Sequence, residues 1–169
     1  RRIFPKPLSL ALEVEVEDQF QFLRELWILR ILLKTRAHRD FIRYIDYEDD
    51  HFLLSVPILQ RVNENTTDLE VLTLLRFRLK KMEANQQPIL PDCTLVRNIR
   101  KLGSSLRLTK VEETLLTFVV AVKSDESLNA VSDRIGELNT SGFITVLATV
   151  LHCPKNEIQE ALNNDSTLR

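Results

Sequence analysis

The stretch TKVEETLLTFVVAV, residues 109–122, decides the fold. Seven of the eight residues from Leu115 to Val122 are apolar, which indicates a segment buried on most of its sides. Valines favour a strand, but Thr109 followed three residues later by Glu112 matches a capping box, in which each side chain accepts a hydrogen bond from the backbone N–H of the other residue. The stretch is therefore predicted to be a central, buried helix with Thr109 as its N-cap.

Burial of this helix is expected to be the largest local hydrophobic contribution to the stability of the C-terminal half. Each buried side chain would contribute about 1.5 to 3 kcal/mol. The side chains expected to be buried are Leu115, Leu116, Phe118, Val119, Val120 and Val122.

Composition favours an all-α globular protein. The 169 residues are 44% hydrophobic and 28% charged, which is ordinary for one well-buried domain or two small ones. Only three glycines are present, too few for the tight turns of an all-β chain or for a glycine-rich nucleotide loop. Helices are therefore expected throughout most of the chain.

The N-terminal part is predicted to hold an extended leader and then a helical subdomain. Residues 8–16, LSLALEVEV, alternate between apolar and polar or small side chains, which is typical of a strand with one buried face. Residues 17–36 have helical periodicity, and Gln21, Arg24 and Glu25 are predicted to form its narrow solvent-exposed polar stripe.

A second capping box, formed by Thr67 and Glu70, predicts a helix that continues to about Asn85. The segment NQQPILP, residues 85–91, then indicates a boundary near residue 88, because its two prolines cannot lie inside a helix. The predicted domains are a leader at 1–16, a helical subdomain at 17–88 and a second helical subdomain at 89–169.

The second subdomain is predicted to be like a helix-turn-helix or a winged helix. It begins with a helix whose apolar stripe is Leu95, Ile99, Leu102 and Leu106. Asp125 is expected to cap a later helix. The last two helices, within FITVLATVLHCPKNEIQEAL, are predicted to flank a three-residue turn, with Pro154 as the first residue of the second helix.

The sequence contains no recognised pattern for catalysis or cofactor binding. No Walker motif or G-x-G-x-x-G is present, and neither the cysteines nor the histidines lie in a recognised metal or catalytic pattern. The run Asp46 to His51 could ligate a metal, but it is better interpreted as the N-cap and first turn of a short helix. We therefore expect no catalytic residue, no cofactor and no metal in this chain.

Charge is distributed in bands although the total is only −1. Residues 76–110 hold nine Lys or Arg against two acids, whereas residues 1–75 and 111–169 carry net charges of −3 and −5. The bands could pair with each other or remain solvated, or the basic band could bind an acidic partner. The residues predicted to make that contact are Arg97, Arg100, Lys101, Arg107 and Lys110.

The sequence predicts a cytoplasmic protein that does not enter a membrane. Cys93 and Cys153 are widely separated, and no signal peptide opens the chain, so two free thiols are expected. The apolar run LWILRILL, residues 26–33, is too short to cross a bilayer of about 30 Å and contains Arg30.

Residues 88–169 resemble the helical region that precedes the ATPase module in a family of bacterial AAA+ ATPases. The resemblance is carried by Leu90-Pro91 before an amphipathic helix, by L-x-x-x-E-x-x-L-L from Leu108 to Leu116, by Ser124-Asp125, and by Ala161-Leu162 in the last helix. Residues 17–87 are similar only as a helical prefix, and the family has a small residue where this chain has His152.

The resemblance implies a non-catalytic N-terminal domain that engages or positions a protein partner or substrate for the motor. The partner would be another protein or the ATPase module of the parent, and any oligomer would form through that parent. The alternative is a nucleic-acid-binding module that uses the helix-turn-helix. It is disfavoured because the second helix carries Glu157, Glu160 and Asp165 against Lys155 alone, whereas binding to phosphates needs cations.

Overall fold

The computed structural model describes residues 8–35, 37–43, 55–63, 65–84 and 90–163. Within these ranges the regular structure is helical, which confirms the all-α prediction. The α-helices are α1 (Leu8–Lys34), α2 (His38–Arg43), α3 (Asp68–Ala84), α4 (Thr94–Leu106), α5 (Lys110–Ser124), α6 (Glu126–Asp133), α7 (Thr140–Leu151) and α8 (Lys155–Ala161), and a 3-10 helix spans Pro57–Arg61.

Helix α1 is central in the fold. Six of its apolar residues are at most 4% exposed: Leu26, Trp27, Ile28, Leu29, Ile31 and Leu32. It packs against α2, α3, α6 and α7, and the ring of Trp27 meets that of Phe118 on α5 edge-on, with centroids 5.2 Å apart. The prediction of a largely buried helix here is confirmed. The helices α4 and α8 pack against α5 rather than α1, so α1 shares the central position with residues 109–122.

The predicted helix at residues 109–122 is present as α5, with the predicted capping box. The Thr109 N–H donates to the Glu112 carboxylate at 2.7 Å, and the Glu112 N–H donates to the Thr109 hydroxyl at 3.2 Å. Leu115 and Phe118 are buried as expected. Burial of Val119 was predicted wrongly, since it is 49% exposed on a face of α5 left open by the packing of α4, α6, α7 and α8.

The prediction of a strand at residues 8–16 is wrong, because the described backbone is helical from Leu8. A lone strand leaves its backbone groups without partners, whereas a helix satisfies them within the segment. Leucine, alanine and glutamate, which fill much of this segment, are also strong helix formers. Local hydrogen bonding therefore outweighs the alternating pattern.

The prediction of a solvent-exposed polar stripe on the first helix is wrong at Glu25, which is only 2% exposed. Its carboxylate is held by Arg78 of α3. Arg30, 7% exposed, is likewise held by Glu83 of α3 and by the backbone carbonyl of Val150 on α7. Buried charges are tolerated only when they are paired and hydrogen-bonded, so these contacts compensate the burial of Glu25 and Arg30 where α1 packs against α3 and α7.

The predicted domain boundary lies outside the described residues, as do residues 1–7. The division into 17–88 and 89–169 therefore stays a prediction. The hydrophobic core is continuous across it, since the same cluster contains Leu75 of α3 and Leu147 of α7. The helix-turn-helix or winged-helix layout of the second half also stays a prediction.

The apolar stripe predicted for α4 is wrong at Leu102 and Leu106, which are 47% and 43% exposed. Val96, Ile99 and Gly103 form the buried side of the helix instead. A Cβ at Gly103 would lie 3.0 Å from the Glu113 Cγ, so the missing side chain leaves room for the side chain of Glu113 on α5.

Candidate functional site

The predicted contact residues lie on α4 and on the short connection from α4 to α5. Arg97, Arg100 and Lys101 are spaced on α4 at i, i+3 and i+4, a spacing that places them on one side of a helix. Arg107 is the C-cap of α4, and Lys110 is the first residue of α5. We call these five residues the basic surface. All are exposed except Arg100, which is partly buried.

Backbone geometry sets the turn that carries Arg107 and Lys110. Arg107 adopts a left-handed conformation, φ 57° and ψ 41°, and the N–H groups of Arg107 and Leu108 both donate to the carbonyl of Gly103. Thr109 follows at once as the N-cap of α5. A helix stop and a helix start therefore lie within three residues, which holds the two cations near the end of α4.

Arg100 has a partly structural role. Its Nη2 donates to the backbone carbonyl of Leu90 at 2.9 Å, which ties α4 to the segment before it. Asp92 lies between Arg97 and Arg100, with its Oδ1 at 3.9 Å from the Arg97 Nε and from the Arg100 Nη1. Because Asp92 is well exposed and both distances are long, these pairs neutralise the two guanidinium groups only weakly.

The remaining cations of the basic surface lack such a neighbour. Among the described residues, no carboxylate lies within 4.0 Å of Lys101, Arg107 or Lys110. The basic band as a whole does reach an acidic region through Arg78, which pairs with Glu25. Pairing between the charge bands thus involves the α1–α3 contact, whereas the basic surface faces solvent.

The C-terminal helix pair has an acidic outer side. Asn139 caps α7 by accepting from the Gly142 N–H at 2.8 Å, and α7 ends at His152, which is left-handed with φ 56°. Pro154 is the N-cap of α8 rather than its first residue. Glu157 and Glu160 are exposed on α8, which is the wrong charge for a helix that approaches phosphates.

The cysteine thiols are free, with Cys93 buried and Cys153 half-buried. Burial raises the pKa of the Cys153 thiol, and the carboxylate of Glu157 raises it further. Among the described residues, no group of three or more His, Cys, Asp or Glu could hold a metal ion. The run Asp46 to His51 lies outside them. No described helix has the length and apolarity needed to span a membrane.

An open cleft that the sequence did not predict lies between α1 and α3. Its volume is about 580 Å³, and it is lined by Leu33, Lys34, Arg76, Leu79, Lys80, Glu83 and Ala84. Glu83 already accepts a hydrogen bond from Arg30, and Lys34 lies in the last turn of α1, where a cation stabilises the helix dipole. These charges therefore have a structural role at the helix ends.

Comparison with known proteins gives no relative. No protein-family model matches the chain, and no curated protein or solved structure is similar to it. The feature of the chain that bears on function is therefore the basic surface with its surroundings.

Proposed function

We propose that this chain is a non-catalytic docking domain that binds an acidic segment of a protein partner through its basic surface. In agreement with the resemblance of residues 88–169, we further propose that the parent is an AAA+ ATPase and that the domain positions the partner for its motor. The observation that supports the proposal is the solvent exposure of Lys101, Arg107 and Lys110 without a described carboxylate nearby.

The energetics fit reversible docking. Each exposed charge pair with a partner would contribute at most about 1 kcal/mol, so several are needed for useful affinity. A cluster of like charges also increases the association rate by attracting an oppositely charged partner, and salt weakens this attraction. The basic surface therefore suits a partner that is captured quickly and released readily.

The proposal is tested by reversing the charge of the basic surface in the parent protein. We expect Arg97→Glu, Arg100→Glu, Lys101→Glu, Arg107→Glu and Lys110→Glu together to abolish partner capture in a pull-down and to abolish stimulation of the parent's ATPase by that partner. A control reverses three exposed cations of α3, Arg76, Lys80 and Lys81, and should leave both activities unchanged. It is matched in charge to the reversal of Lys101, Arg107 and Lys110 alone.

Circular dichroism of each variant shows whether it is folded. A variant that carries only Lys101→Glu, Arg107→Glu and Lys110→Glu keeps the hydrogen bond from Arg100 to the Leu90 carbonyl. Unchanged capture and unchanged ATPase stimulation in this folded variant would overturn the proposal. Binding of DNA or RNA at low salt that is lost in the same variant would also overturn it, in favour of a nucleic-acid-binding module.

A further inference from the structure

The exposed side of α4 has two chemically different flanks. One flank carries Arg97 and Lys101, which are one turn apart, and the other carries Leu102 and Leu106, also one turn apart. Successive helix positions differ by about 100°, so each flank borders the same solvent-facing ridge. The ridge itself shows the short polar side chains of Asn98 and Ser105.

The leucine flank is unusual because its members are neighbours. Single exposed apolar residues are common on protein surfaces and need no explanation. Here Leu102 and Leu106 are 47% and 43% exposed on adjacent turns. The cations of the other flank have no close carboxylate partner among the described residues, since Arg97 makes only a long contact with Asp92. Burial of these leucines and neutralisation of these cations would both stabilise a bound partner.

We propose that α4 binds an amphipathic acidic helix, with its carboxylates against Arg97 and Lys101 and its apolar side chains against Leu102 and Leu106. A helix repeats its side chains at the same i, i+4 spacing, so one bound helix matches both flanks along its length. The short side chains of the ridge let its backbone approach. This inference rests on the proposed function, and it adds the shape and the apolar side of the partner.

The probe is a fluorescein-labelled peptide as long as α4, with glutamates along one flank and leucines along the adjacent flank. Fluorescence anisotropy with the whole chain at low salt should show binding, and circular dichroism should show that the peptide becomes helical when bound. A peptide with lysines in place of the glutamates, and another with serines in place of the leucines, should bind about tenfold more weakly or not at all.

Paired protein variants test each flank separately. Arg97→Gln with Lys101→Gln should weaken peptide binding about tenfold and reduce its salt dependence. Leu102→Ser with Leu106→Ser should weaken binding by a similar factor without changing the salt dependence.

Matched controls lie on α3, where Leu69 and Phe77 are 71% and 60% exposed and Lys80 and Lys81 are exposed. Leu69→Ser with Phe77→Ser, and Lys80→Gln with Lys81→Gln, likewise replace two exposed apolar residues or two exposed cations, but away from α4, and should leave binding unchanged.

The inference and the proposed function can fail separately. If the cation variants weaken binding but the leucine variants do not, the surface binds acidic segments without an apolar contact, and the amphipathic helix is excluded while the proposed function stands. If the α3 variants weaken binding as strongly, or if no peptide binds, the inference is overturned. It is also overturned if sedimentation shows that the chain self-associates through the four α4 residues, because a second copy would then occupy the site.

Discussion

Arg78 of α3 donates two parallel hydrogen bonds to the carboxylate of Glu25 on α1, from Nε to Oε1 at 2.7 Å and from Nη2 to Oε2 at 2.6 Å. The Glu25 side chain is 3% exposed, whereas that of Arg78 is 28% exposed. The hydrogen bonds to Glu25 raise the pKa of the Arg78 guanidinium, which favours its charged form. This planar two-point contact fixes the register between α1 and α3.

We predict that Arg78→Met lowers the free energy of unfolding by about 3 kcal/mol, because it leaves the Glu25 carboxylate buried without its counter-charge. The double variant Glu25→Met with Arg78→Met should be more stable than Arg78→Met alone, since it removes the buried charge as well. Urea denaturation of the wild type and of these two variants measures this. A double variant less stable than Arg78→Met would show that the pair contributes mainly by packing.

The capping boxes give a second prediction, because they differ in burial. Thr109 caps α5 at a partly buried site beside Glu112, whereas Thr67 caps α3 at an exposed site beside Glu70. Thr109→Ala should lower the free energy of unfolding by about 1 to 2 kcal/mol, because the backbone N–H of Glu112 loses its hydrogen-bond partner at a site away from bulk water. Thr67→Ala should lower it by only about 0.5 to 1 kcal/mol. Thermal unfolding followed by circular dichroism compares them.

The matched controls are Thr109→Ser and Thr67→Ser, which keep the hydroxyl and should be close to the wild type in stability. Equal losses for the two alanine variants would indicate that burial of the cap has no effect on its contribution.

Sequence reasoning succeeded where the decisive contact is local. The capping box of Thr109 and Glu112 is a pattern of four residues, and it marked the start of a helix correctly. It failed where the interacting residue is distant in sequence. Glu25 is predicted to lie on the solvent-exposed polar stripe, because its partner Arg78 is 53 residues away and no local pattern marks the pair. Leu102 is a similar case, because its exposure depends on which sides of α4 the distant helices cover.

The basic surface was only partly predictable. The charge band identified its members, but the sequence could not show that Arg100 bonds the carbonyl of Leu90 while Lys101 faces solvent. The leucine flank of α4 was missed altogether, because Leu102 and Leu106 fit the helical periodicity expected of core residues. Periodicity identifies the apolar positions, but the packing of neighbouring helices decides which of them are covered.

The turn between α7 and α8 gives a third prediction. His152 has φ 56° and ψ 42°, a left-handed conformation that glycine adopts with less strain than residues bearing a Cβ. His152→Gly should therefore raise the free energy of unfolding by about 0.5 to 1 kcal/mol, after the greater flexibility of glycine in the unfolded chain is included. Urea denaturation measures the change.

His152→Ala is the matched control, since it removes the imidazole but retains a Cβ. It should not be more stable than the wild type. If alanine stabilised the protein as much as glycine, the effect would come from the side chain of His152 and not from its backbone conformation.

The last prediction concerns the reactivity of Cys153. Burial, followed by the carboxylate of Glu157, raises the pKa of this thiol above that of a free cysteine. The thiolate is the reactive form, so at neutral pH alkylation should be slower than for an unstructured peptide cysteine, and the rise in rate should be shifted to higher pH. The rate of reaction with iodoacetamide is measured in a Cys93→Ser background, in which serine is a suitable N-cap for α4.

Glu157→Gln tests the electrostatic cause. It removes a negative charge that disfavours the thiolate, so the pKa of Cys153 should fall and the alkylation rate at neutral pH should rise. Glu160→Gln makes the same change elsewhere on α8 and should have a smaller effect. If both variants leave the rate unchanged while urea at a concentration that unfolds the chain raises it, burial rather than Glu157 slows the reaction of the thiol. If wild-type Cys153 reacts as fast as the peptide cysteine, the prediction is wrong.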